Sequence, residues 1–208
     1  MAGFLPWKTS IKKGEIFGLV PKRGTVIVYE QPDAMINHEP EKAMKVFKKM
    51  LELIEEDISE YGGFKLNVIS YSAGNGFGFY VANHFAVKKF ISIVTGANLG
   101  ECIFTCIATP HVKKESINFG INSHNEYDKV IEGYIPQDNF KNISAKSTFY
   151  LARFDEYFEL KQGLKVANYV KQHNKNTEIK IIPLGHLATM VYFGFLNRFS
   201  LIEDIYKK

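Results

Sequence analysis

Cysteine is scarce in this chain of 208 residues: there are two, Cys102 and Cys106. Their spacing puts them one turn apart on a helix, too close to join two elements, and it matches neither a CxxC redox pair nor a zinc site. They read as two partly buried free thiols in a reducing compartment. Long apolar runs are also missing; no segment reaches the roughly 18 consecutive apolar residues that span a bilayer. Residues Met1 to Lys8 lack a basic stretch followed by an apolar one, so no secretory signal is expected and the expected location is cytoplasmic. Excess charge is small, 26 Lys and Arg against 22 Asp and Glu for a net +4. That balance, without one basic face or stripe, gives no reason to expect a nucleic-acid partner. Tryptophan occurs once, yet there are 17 Phe and 11 Tyr, enough to build a large core and to line an apolar pocket. With 46% hydrophobic and 23% charged residues the chain is neither disordered nor a disulfide mini-protein. Its length favours one domain.

Five apolar runs read as strands: 25–29, 65–70, 89–94, 148–152 and 178–183. Most are short and β-branched with little alternation, which suits strands buried on both faces of a parallel sheet. A weaker run at 15–20 reads as an edge strand. Helical patterns lie between them. The longest spans about Pro40 to Tyr61, with Pro40 in its first turn and Gly62-Gly63 at its stop. Its buried face is expected to carry Ala43, Val46, Phe47, Met50, Leu51 and Ile54. Further helices are expected from about Ala73 to Phe85, Leu160 to Gln172 and Leu187 to Phe199. Strand and helix in alternation predict a doubly wound, mostly parallel α/β sheet. From about 96 to 146 no convincing strand is found, and short helices are expected at 98–104 and 124–131. A structureless loop of that length does not suit a compact domain, so a small helical insertion over one end of the sheet, a lid, is expected.

The segment Lys65 to Gly78 carries the chemistry. A buried strand enters a turn of small residues, Ser70-Tyr71-Ser72-Ala73-Gly74, and continues as a helix. This five-residue turn resembles the nucleophile elbow of the α/β-hydrolase superfamily, G-x-S-x-G, with Ser70 in place of the first glycine. The elbow needs small side chains two before and two after its nucleophile. Centring it on Ser72 satisfies both positions with Ser70 and Gly74, whereas centring it on Ser70 puts the β-branched Val68 in one of them. The neighbouring Asn75-Gly76-Phe77-Gly78 fits a phosphate-binding loop poorly, and no P-loop lysine follows.

The resemblance implies a single α/β-hydrolase domain over the whole chain, with the lid insertion at about 96–146. It also implies an acid and a histidine in chain order after later strands. Asp155 follows the 148–152 strand, with Glu156 beside it as the alternative acid, and His186 follows the 178–183 strand. The oxyanion donors it implies are the backbone N–H of Ala73 and, from the loop after the 25–29 strand, that of Gln31; Pro32 has none to give. That loop lacks the His-Gly often found there. The activity implied is that of a serine hydrolase acting on a small-molecule ester, thioester or related acyl bond, with no metal or organic cofactor. Transfer of the acyl group to an acceptor other than water uses the same residues. Phe77, Phe79, Phe104 and Phe158 are candidates for an apolar acyl pocket. The alternative function is a non-catalytic receptor or interaction module on the same scaffold.

Overall fold

The computed structural model describes residues 27, 29, 35–60, 66–107, 109–196 and 201. The strands expected at 15–20 and 25–29 lie outside these residues, apart from Ile27 and Tyr29, and so does Gln31.

Four parallel strands form the described sheet: β1 Leu66–Tyr71, β2 Val87–Ile93, β3 Lys146–Ala152 and β4 Thr177–Ile182, side by side in that order. The parallel pairing explains the apolar runs, because helices cover both faces. Side chains alternate between the two layers. Phe90 of β2 with Phe149 and Leu151 of β3 point into the larger core. Ile91, Ile93, Tyr150 and Ala152 point into the smaller one. β4 is half exposed, as its position at the end of the described sheet requires.

The larger core is covered by α1 Pro40–Glu60, α2 Asn75–His84 and α6 Leu160–His173. On α1, residues Ala43, Phe47, Met50, Leu51 and Ile54 are buried on the expected stripe, and Val46 sits at its half-buried margin. Asp57 is buried on the same helix, where it accepts the Tyr29 hydroxyl. The smaller core is covered by α7 His186–Val191 and the π-helical stretch 192–196 that follows, through Met190 and Phe193. The helix expected over 187–199 is therefore shorter as an α-helix and widens into a π-helix, and residues 197–199 lie outside the described set.

Between β2 and β3 the described chain is helical: α3 Leu99–Thr105, α4 Pro110–Asn118, α5 His124–Val130 and a 3₁₀ turn at Pro136–Asp138. α3 packs on α5, and α5 on α1, so these helices extend the larger core. Helix α4 goes beyond the sequence expectation. Its residues are largely exposed, and its main local signal is Pro110 at its first turn. Cys102 is buried in α3 and Cys106 half-buried just past its end, and neither is in a disulfide. Among the described residues no helix is long and apolar enough to cross a membrane.

Candidate active site

The C-terminal ends of β1, β3 and β4 deliver three side chains to one point. At the end of β1 the chain turns through Ser72, whose φ of +50° lies in the left-handed region that a residue with a Cβ adopts only under constraint. A single 3₁₀ turn, Ser72–Gly74, leads into α2. The constraint comes from Asn75, 1% exposed. Its Oδ1 accepts the hydroxyls of Ser70 and Ser92, each at 2.6 Å. Its Nδ2 donates to the carbonyl oxygens of Ser72 at 2.8 Å and Ile93 at 3.0 Å. One amide thus ties the turn to β1 and β2. Ser70 is fully buried within this knot, which separates its role from that of Ser72. Strand and helix come close here: a Cβ on Gly78 would meet Ser70 Oγ at 2.3 Å. The tight contact to Ser70 therefore falls at Gly78. Gly74 itself has ordinary helical angles.

After β3, Asp155 closes a turn in which its Oδ1 accepts the N–H groups of Tyr157 at 2.9 Å and Phe158 at 2.7 Å. After β4, His186 is the first residue of α7. The backbone N–H at that helix position has no intrahelical partner, and here Glu156 Oε2 accepts it at 2.8 Å. The approach is close enough that a Cβ on Gly185 would lie 2.8 Å from the same oxygen. Glu156 thus grips the backbone of His186, and Asp155 reaches its ring. His186 Nδ1 lies 2.9 Å from both Asp155 carboxylate oxygens, and Nε2 lies 2.8 Å from Ser72 Oγ. The carboxylate can only accept, so Nδ1 carries the proton and Nε2 is left to accept from the serine hydroxyl. Both side chains are nearly sealed, His186 at 2% and Asp155 at 3% exposure. The rings of Tyr157 and Phe158 flank the imidazole, with centroids 4.7 and 5.7 Å away.

Ser72 and Ala73 open onto a cleft walled by Met35, Phe47, Asn98, Leu99, Ile135 and Phe158, among others. Of the aromatic residues expected to line an acyl pocket, Phe158 does. Phe77 does not: it is 1% exposed and packs against Phe47 of α1, with ring centroids 4.9 Å apart. Phe79 packs against Phe90 in the core. Phe104 is half-buried on α3 and packs against the larger core, outside the described cleft wall. Closeness in sequence to the elbow or the insertion does not determine which way a helical side chain faces, and these three face inward. Phe47, Met35 and Asn98 take the places in the wall. Among the described residues no group of three or more His, Cys, Asp or Glu side chains converges to hold a metal ion.

No family model matches the sequence, and no curated protein matches it significantly. Solved structures do resemble it in fold. An acylaminoacyl peptidase in complex with Z-Gly-Gly-Phe-chloromethyl ketone superposes with a TM-score of 0.61 at 17% identity, over 83% of this chain and 28% of that one. The uncomplexed Pyrococcus horikoshii acylaminoacyl peptidase gives 0.59 at 16% identity, over 80% and 29%. A Pyrococcus furiosus esterase gives 0.52 at 13% identity, over 76% and 60%. This chain thus spans less than a third of the length of the peptidases and about three-fifths of that of the esterase. The shared architecture is the α/β-hydrolase fold, and this chain has it.

Proposed function

We propose that this α/β-hydrolase-fold chain is a serine hydrolase that cleaves a carboxylic ester, thioester or related acyl bond. The observation that carries the reading is His186 held between Asp155 and Ser72, at hydrogen-bond distance from each. In this mechanism Ser72 Oγ attacks the acyl carbonyl while its proton passes to His186 Nε2. Asp155 keeps the ring in the tautomer that can accept and stabilises the imidazolium that results. The tetrahedral oxyanion is held by the N–H of Ala73, the residue after the nucleophile, and by a second N–H that we assign to Gln31. When the intermediate collapses, His186 gives its proton to the leaving group and Ser72 is left acylated. Water, activated by the same histidine, then releases the acid.

The apolar cleft wall beside Ser72 supports an apolar acyl group as the part held during reaction. Leu99, at the start of α3, and Ile135, just before the 3₁₀ turn, bring the inter-strand segment into that wall, which supports a lid role for the insertion. The neighbours named as an esterase and as acylaminoacyl peptidases have the same fold, so the reading also agrees with chemistry that this fold carries elsewhere. A panel of p-nitrophenyl esters of increasing acyl length tests it. Turnover of at least one ester that is lost in both Ser72→Ala and His186→Ala is expected. Equal hydrolysis by the unmodified chain and by both variants overturns the reading.

A further inference from the structure

Asn98 stands in the cleft wall next to Ser72, directly before α3 and with extended backbone, φ −135° and ψ 141°. An asparagine there ordinarily caps the helix by accepting a first-turn N–H. This one makes no such bond. Asp128, from α5, caps the helix in its place, its Oδ1 accepting the Gly100 N–H at 2.8 Å. The two helices meet so closely that a Cβ on Gly100 would lie 2.7 Å from that oxygen. The Asn98 amide is thereby released from capping. Asn98 is 8% exposed, its Oδ1 is buried without a partner, and its side chain makes no hydrogen bond among the described residues. Buried amides are nearly always matched, and leaving one unmatched costs stability. A cleft wall is where such a cost has a use, because a bound molecule supplies the missing partner.

Resting on the serine-hydrolase reading, we propose that Asn98 is a specificity-determining residue that hydrogen-bonds a neutral amide in the acyl part of the substrate. The chemistry of the wall selects the class. No described residue of the wall carries a charged side chain, so a carboxylate or ammonium group on the acyl chain would enter unpaired. Phe47, Leu99, Ile135 and Phe158 suit apolar surface. Against them stands one planar group with both an acceptor and a donor, and a secondary amide offers the complement of each. The substrate class is therefore an acyl compound bearing an amide near the scissile carbonyl, such as an N-acylated amino-acid ester, in preference to a plain alkanoyl ester.

The experiment compares the methyl esters of N-acetylglycine and of pentanoic acid, the same length without the amide, by titrating the acid released. Stability is followed in parallel by thermal unfolding of the full chain and of Asn98→Leu. The chain is expected to prefer the amide ester by about tenfold or more in kcat/KM, the scale of one buried hydrogen bond. Asn98→Leu is expected to bring that ratio to within about threefold of unity. Its Tm should equal or exceed that of the parent, since an unmatched buried oxygen is replaced by an apolar group of similar size. An unchanged ratio in Asn98→Leu overturns the proposal, and so does a clear loss of Tm, which would make the amide structural. If neither ester is cleaved while a fluorophosphonate still labels Ser72, the amide preference is refuted and the hydrolase reading stands. If Ser72 is not labelled either, both fall.

Discussion

Asn75 gives the most demanding test of how the fold holds its serine. In Asn75→Ala, the buried hydroxyls of Ser70 and Ser92 lose their common acceptor, and the carbonyl groups of Ser72 and Ile93 lose their donor. Each net bond contributes about 1 kcal/mol, and each buried group left unmatched costs about 1–3 kcal/mol. Effects within one network do not add fully. The expected loss is therefore about 3–5 kcal/mol, at the upper end of what single substitutions do. With a urea m-value of about 2 kcal/mol/M for a domain of this size, the unfolding midpoint should fall by about 1.5–2.5 M. Asn75→Asp is the sharper variant. Its carboxylate still accepts from both serines but cannot donate, so it faces the Ser72 and Ile93 carbonyl groups with repulsion. Both variants should also slow fluorophosphonate labelling of Ser72, because the tether on its strained backbone is gone. A loss below about 1 kcal/mol in both variants, with the labelling rate unchanged, would refute the reasoning.

Asp155 and Glu156 are adjacent carboxylates with different partners, the His186 ring for one and its backbone N–H for the other. Asp155→Asn should lower kcat by up to about 10⁴-fold, because the ring tautomer is no longer held. Glu156→Gln keeps an oxygen for the His186 N–H and should cost less than about tenfold. The kinetics of the two variants check this, and comparable losses would contradict the assignment. Asp128 supplies a pH test of stability. Burial pushes its carboxyl up to about 6, against an ordinary 3.8, even though the Gly100 N–H acts in the other direction. Between about pH 4 and pH 6 the unfolded chain gives up this proton while the folded chain keeps it, so this contribution to stability falls as pH rises through that window. Asp128→Asn retains the acceptor for Gly100 without the charge. It should gain about 1–2 kcal/mol on the parent above about pH 6, allowing for solvent at its rim, and nothing below about pH 4. Urea unfolding at about pH 3.5 and about pH 7.5 checks it.

Much of the site was legible because the chain repeats one pattern. An apolar run ends, and a small or polar residue follows: Ser72 after β1, Asp155 after β3, His186 after β4. In a parallel sheet those three ends lie on one side, so chain order and strand ends suffice to bring the residues together. What stayed hidden depends on non-local partners. Asn75 reads as an ordinary polar residue in a helix's first turn until Ser92, on another strand, is seen to share its oxygen. Glu156 reads as a stand-in for Asp155, and only the close approach of Gly185 reveals that it grips a backbone N–H. Asn98 reads as a helix start; its release depends on Asp128, which arrives from α5. The turn away from the cleft at Phe77 depends on Phe47 of α1.

The central claim is that Ser72 is a nucleophile activated by His186. Intact-mass and peptide mass spectrometry after exposure to a fluorophosphonate measures this directly. A single adduct on Ser72 is predicted, absent in Ser72→Ala and formed several orders of magnitude more slowly in His186→Ala. An adduct that persists in Ser72→Ala, or one that forms equally fast without His186, would contradict the account.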